Sequence, residues 1–298
     1  MSNNLVIHST DTAIDTFIQN QLSERTRQAY RSDLRHFKAF IDRPVREVDA
    51  AVLIEYRNMT SSLYSQSTVN RRLSTIRSLF QWLHGNHMIP YNPVQSVKLL
   101  PGTDYVKTPG LSDNEALKLL EASKGSPRDH CILAMLLYLG LRRSELVGIH
   151  ATDLQAERGV SVLTVLGKGS KTRRVPIPAQ LEVIISKHIS VNVNGFLRAR
   201  EDVKVPLFGQ RRDPLKPIHP ETVRKLVRKY CRRAGIKEVS PHSLRTTATS
   251  NAIDQGCNFV ELQYAMGWSS SEMVKRYDRR RSEIKNSAVW KINYGENK

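Results

Sequence analysis

The chain has 298 residues, and its 46 lysines and arginines stand against 28 aspartates and glutamates, a formal net charge of +18. That length accommodates two domains with sizeable cores, and a cation surplus spread along the whole sequence points to a polyanion partner, nucleic acid above all. No run of about 18 apolar residues offers a membrane span, so no membrane partner is expected.

Residues 11–84 read as four helices. Tyr30, Leu34, Phe37 and Ile41 recur at spacings of three and four and mark one apolar face; Val69, Leu73, Ile76, Phe80 and Leu83 mark another. Arg71, Arg72 and Arg77 are left on the polar side of the fourth helix, with Arg25, Arg27, Arg31 and Arg35 on a neighbouring one. For any single arginine a solvated surface is the simpler reading. Together they form a candidate phosphate-gripping face, with Arg27, Arg71, Arg72 and Arg77 as the DNA-binding candidates. From Gly85 to Gly110 helical periodicity breaks, and Pro90, Pro93, Pro101 and Pro109 follow one another. A linker is expected at 89–108, between a helical DNA-binding domain at 1–88 and a second domain at 109–298. An extended linker could run along one side of a duplex while the domains hold opposite faces.

In the second domain, Asp113–Ser123 and Arg128–Leu139 read as helices, the latter almost wholly apolar and therefore buried. Val160–Leu166 and Thr172–Ile177 are rich in β-branched residues around Gly-Lys-Gly-Ser-Lys, which predicts a hairpin or two strands of a small sheet. Residues 189–217 carry no decisive pattern. Glu221–Ala234 reads as a helix with Val223, Leu226, Val227 and Tyr230 inward and six basic residues largely outward. There is no internal repeat. The expected fold is mainly α with a small β-sheet. Cys131, Cys231 and Cys257 are far apart and read as reduced thiols of a cytoplasmic protein. The nine histidines form no metal-ligand spacing, and Met1–Thr10 lacks the order of a secretory signal.

Three basic stations carry the chemistry. In the first, Gly140 ends the apolar helix and Arg142 opens the next, where a cation opposes the helix dipole and wants an anion nearby. Glu145, three residues on, lies on the same face and can hold the guanidinium. Alone, the pair reads most simply as a structural ion pair. In the second, Ser240 is a good N-cap, Pro241 fits the first helical position, and His242 and Arg245 share the face of the first turn. One exchanges protons near neutrality; the other stays charged and can bind two phosphate oxygens. In the third, Gly267-Trp268 ends a helix, and Ser269 with Glu272 offers a capping box for the next. That helix carries Tyr277 inside Val274-Lys275-Arg276-Tyr277-Asp278-Arg279-Arg280-Arg281. A phenol of pKa about 10 is roughly one part in a thousand ionised at neutral pH. Among cations it can lose its proton in a transition state and attack phosphorus. Trp268 reads equally as a core side chain and as an indole donor to a phosphate oxygen.

In order and spacing, Arg142, His242-Ser243-Leu244-Arg245, Gly267-Trp268 and Tyr277 resemble the motif set of the tyrosine recombinases, the phage integrase family. Ser67-Thr68-Val69-Asn70-Arg71-Arg72-Leu73 and Tyr91-Asn92-Pro93 resemble the N-terminal domain and linker of its Xer-like members, so the likeness covers nearly the whole chain. Gly167-Lys168-Gly169 resembles the family's hairpin turn. The resemblance implies a SAM-like core-binding domain followed by an α+β catalytic domain, and a site-specific recombinase that cuts and rejoins DNA through a 3′-phosphotyrosine. Tyr277 would be the nucleophile, Arg142, Arg245 and Trp268 the phosphate ligands, Lys168 the general acid (with Lys171 as near alternative), His242 the proton acceptor and Glu145 a support. No metal or ATP is implied. The implied partners are a double-stranded recombination site, three further copies in a tetramer, and accessory DNA-bending proteins, in a bacterial or mobile-element setting. Two departures stand out: Trp268 and Thr246 occupy positions where histidine is common. The tail from Ser282, with Ile284, Val289, Trp290 and Ile292, suits packing on a neighbouring subunit and on its own domain equally. The rivals are a type IB topoisomerase-like nicking and resealing enzyme, a DNA-binding regulator that does not cut, and, on charge alone, an RNA-binding structural protein.

Overall fold

Short polar side chains write several of the helix starts. Asp49 accepts from the Val52 backbone N–H, Ser126 from Asp129 and Ser240 from Ser243, while Ser112 and Glu115 form a reciprocal capping box. Proline follows the cap in two of these, where its missing N–H costs nothing. The structure, a computed structural model, describes residues 10–101, 110–167, 171–195 and 204–268, and divides into two units, Met1–Thr103 and Asp104–Lys298.

The N-terminal unit contains α1 (Thr10–Gln19), α2 (Glu24–Lys38), α3 (Ala50–Leu63) and α4 (Gln66–Gly85). Phe17, Leu34, Phe37, Tyr56, Leu73, Ile76 and Phe80 are buried together, with the Phe37 and Tyr56 rings edge to face at 5.1 Å. Residues 89–101, expected within the linker, pack on this unit. Ile89, Val94 and Val97 join its core, and Asn70 both donates to and accepts from the Leu100 backbone at 2.9 Å. The physical reason is that these prolines alternate with apolar residues, so the stretch has a face to bury. Residues 102–108, the rest of that linker, lie outside the described residues.

In the second unit, α5 (Asp113–Ser123) packs on α6 (Pro127–Tyr138), in which every residue from Cys131 to Leu136 is buried. A five-residue helix, α7 (Arg143–Val147), leads to the strands β1 (Leu154–Glu157), β2 (Val160–Leu166) and β3 (Thr172–Pro176). They form one antiparallel sheet in the order β1-β2-β3, with Leu163 opposite Val175 and Val165 opposite Arg173. Then come α8 (Ala179–Asn192), α9 (Pro220–Arg233), α10 (Pro241–Asp254) and α11 (Phe259–Met266). β1 and α8 are additions to the expected elements. β1 has no buried residue to mark its period, and α8 buries Leu181, Ile185 and His188, so a histidine fills one position of its apolar stripe. The three cysteines are free, two of them buried. Among the described residues no helix is long and apolar enough to cross a membrane.

Candidate active site

The site grows from the turn between α6 and α7. Gly140 has φ +57°, a left-handed turn that favours glycine, and a Cβ there would also lie 2.6 Å from the Met266 sulfur, so that side chain would have to shift. Arg142 then sits at the N-cap of α7. Its backbone N–H donates to Glu145 Oε2 at 2.8 Å and its Nη1 to Oε1 at 2.7 Å. The Glu145 side chain is only 3% exposed, whereas that of Arg142 is 37% exposed.

A second guanidinium reaches the same carboxylate. Arg173 points inward from β3, on the face shared with Val175, and its Nη1 and Nη2 donate to Glu145 Oε1 and Oε2 at 3.0 and 2.9 Å. Such a two-pronged pair fixes orientation as well as charge. Arg245 Nη1 stands 4.0 Å from Oε2. Burial alone would raise the Glu145 pKa, but the hydrogen bonds from Arg173 and Arg142, together with the Arg173 charge, hold it below its ordinary 4.5.

Arg245 lies on the first turns of α10 and is 1% exposed. Its Nη1 donates to the Gly140 carbonyl at 2.5 Å and its Nη2 to the Met266 carbonyl at 2.6 Å, with the guanidinium carbon 5.3 Å from the centre of the Trp268 ring. The last turn of α11 leaves its carbonyls without helical partners. Three in succession accept from three arginines: Ala265 from Arg173 Nε at 3.0 Å, Met266 from Arg245, and Gly267 from Arg142 Nη2 at 3.4 Å. Gly267 closes that helix at φ +62°, and a Cβ on it would come within 3.0 Å of Arg173 Nη1. Trp268 is 7% exposed, packed with Ala248, Ile253, Leu262 and Met266.

His242 is exposed one turn before Arg245. Partial burial lowers its pKa below 6.5, and the positive Arg245 and Arg142 lower it further, so the imidazole is neutral at pH 7. Thr246 donates its hydroxyl to the His242 carbonyl at 3.2 Å, an interaction internal to α10. The site thus has two levels. Arg142 and His242 face outward, while Arg245, Glu145, Arg173 and Trp268 lie beneath. Lys168 and Tyr277, with the Ser269–Glu272 capping box and the tail, lie outside the described residues. Among the described residues no group of histidines, cysteines and carboxylates could hold a metal ion.

Arg173 is the residue that sequence reasoning missed. The signal available was the alternation in Thr172-Arg173-Arg174-Val175-Pro176, which puts Arg173 on the side of Val175 and so inside. The N-terminal arginines are placed less openly than a phosphate grip suggests. Arg27 Nε donates to the Gln21 carbonyl at 2.7 Å and Arg77 Nη2 to that of Val97 at 3.0 Å. Arg72 lies 3.9 Å over the Tyr64 ring and 2.9 Å from His36 Nε2. Arg71, with its side chain 51% exposed, pairs with the buried Asp33.

The model of the phage integrase family matches residues 110–283, and that of the phage integrase N-terminal SAM-like domain matches residues 14–86. The chain is 31% identical to a tyrosine recombinase of Pseudothermotoga lettingae, over 86% of this chain and 88% of that protein. It is 30% identical to tyrosine recombinase XerC of Thermodesulfovibrio yellowstonii, over 87% of each. Among solved structures, a lambda integrase tetramer bound to a Holliday junction covers 96% of this chain with a TM-score of 0.72, over 81% of its own length; at 15% identity that is a likeness of fold.

Proposed function

This chain belongs to the phage integrase family and is a tyrosine-type site-specific recombinase, and from that premise we propose the division of labour among its residues. Tyr277 Oη attacks the scissile phosphorus and forms a 3′-phosphotyrosyl bond, while the bond to the 5′-oxygen breaks. His242, neutral at pH 7, takes the phenolic proton. Lys168 protonates the departing 5′-oxygen. Arg142 and Arg245 stabilise charge on the non-bridging oxygens, with the Trp268 indole as a further donor, and Glu145 orients Arg142. Phosphoryl transfer in this scheme uses side chains alone, and the phosphotyrosine conserves the energy of the broken bond for rejoining.

The substrate is a double-stranded recombination site. The net charge of +18 and the names of its relatives support that reading. A tetramer on DNA, by analogy with the lambda integrase assembly, gives one nucleophile to each of four strands. Action in the cytoplasm, a mobile-element setting and accessory DNA-bending proteins complete the proposal.

The observation that carries it is the cluster of three guanidiniums around one carboxylate beside a neutral histidine, a site with more positive charge than its own acid neutralises. The test is a nicked suicide duplex, its site recovered by selection for tight binding and incubated with wild type and Tyr277→Phe in EDTA. A covalent adduct from wild type and none from the variant is expected. Tight binding without an adduct from wild type would instead favour the DNA-binding regulator.

A further inference from the structure

Arg173 joins its own strand to the α7 turn and to the end of α11, yet it is 8% exposed and lies beneath the outward-facing Arg142. Its two Nη atoms hold Glu145, which holds Arg142. Its Nε holds the Ala265 carbonyl, on the turn that leads through Trp268 toward Tyr277. Its own strand, β3, begins four residues after Lys168. The hairpin is in firm register there, with Leu166 opposite Thr172, Val165 opposite Arg173, and the Gly167 N–H donating to the Lys171 carbonyl at 2.7 Å. The neighbouring Arg174 turns the other way and pairs with Glu157 on β1. Among the described residues, no other side chain in 164–167 or 171–174 hydrogen-bonds to α7, α10 or α11.

We infer that Arg173 is a positioning residue for DNA cleavage: it ties the hairpin that carries Lys168 to the arginine cluster, so that the acid meets the 5′-oxygen of the phosphate those arginines hold. The inference rests on the role proposed above for Lys168. A simpler role, neutralising Glu145, needs only a positive charge, and a lysine would supply it. What a lysine cannot supply is a planar fork on the carboxylate together with a third N–H on Ala265. Misplacing a reacting group by about 1 Å can cost on the order of a hundredfold in rate.

In the step at issue the Tyr277 Oη–phosphorus bond forms, the phosphorus–O5′ bond breaks with its electron pair leaving on oxygen, and that oxygen takes a proton from the Lys168 ammonium. A bridging sulfur at the 5′ position leaves as a thiolate and needs no proton. Single-turnover cleavage of the suicide duplex, with oxygen and with sulfur at that position, therefore isolates the acid. Arg173→Lys and Lys168→Ala are expected to cleave the oxygen duplex about ten- to a hundredfold more slowly than wild type, and to approach the wild-type rate on the sulfur duplex. Gly267→Ala, which crowds Arg173 Nη1 and keeps the guanidinium, provides a second variant should Arg173→Lys not fold, with a smaller defect and the same rescue by sulfur. If Lys168→Ala is rescued while both other variants are equally slow on both duplexes, or as fast as wild type on oxygen, the inference is overturned by itself. If wild type forms no adduct, the functional reading falls and takes the inference with it.

Discussion

Asp33 in the N-terminal unit and Glu145 in the catalytic unit are both buried carboxylates, 1% and 6% exposed, and each holds an arginine. Asp33 takes Arg71 and the Thr75 hydroxyl on Oδ2, and its Oδ1 has no hydrogen-bond partner. Glu145 uses both oxygens, each twice: Oε1 accepts from Arg142 and Arg173, Oε2 from Arg173 and the Arg142 backbone. One acid serves one arginine; the other serves two, with a third at 4.0 Å. Asp33 accordingly cancels the charge it binds, and Glu145 does not. Burial depth is shared, so it says little about purpose. The ratio of cations to acids separates the two.

The comparison is sharpest where the acid itself is removed. Glu145→Gln leaves buried guanidiniums without their counter-charge, and breaking a buried pair in this way costs about 3–5 kcal/mol. A large loss in urea or thermal melts of the catalytic unit is expected. Because the folded-state pKa of Glu145 is depressed, its stabilisation is present above about pH 4.5 and disappears as pH falls through the lower folded value. Melts from pH 6 downward should therefore show the gap between wild type and Glu145→Gln closing. A gap that is constant with pH would mean the loss is one of packing.

A smaller effect is expected of Gly267→Ala. The left-handed backbone costs about 1–2 kcal/mol for a residue with a Cβ, and the new methyl presses on Arg173. Smaller again should be Asp33→Asn, about 1 kcal/mol, since asparagine keeps an acceptor for Arg71 and Thr75 and the Arg71 side chain is half exposed. If Asp33→Asn proves as costly in melts as Glu145→Gln, the contrast between the two acids is wrong.

Much of this was legible before any coordinates. Apolar residues at spacings of three and four gave α2 and α4, the almost wholly apolar stretch around Cys131 to Leu136 gave α6, and serine followed by proline marked the start of α10. These are signals local to one element. The Arg142–Glu145 contact is local too, three residues apart in one turn. The rest depends on separation in sequence. Arg173 can be read as a ligand of Glu145 only once a strand has been laid beside a helix 28 residues away. Arg245 finds its acceptors 105 and 21 residues off, on backbone carbonyls that no side-chain pattern advertises. Likewise the packing of residues 89–101 depends on partners such as Asn70, 30 residues from the Leu100 backbone it holds.

The three consecutive carbonyls at the end of α11 have one more consequence. A carbonyl carries a partial charge, and the C-terminus of a helix sums to about half an elementary charge, so it can aim a cation without discharging it. Had carboxylates stood there, an arriving phosphate would first have had to displace an ion. Beside the one carboxylate of Glu145 that the cluster shares, these dipoles orient the guanidiniums without adding a second full negative charge, and the reorganisation that water would need for the same task is completed when the chain folds.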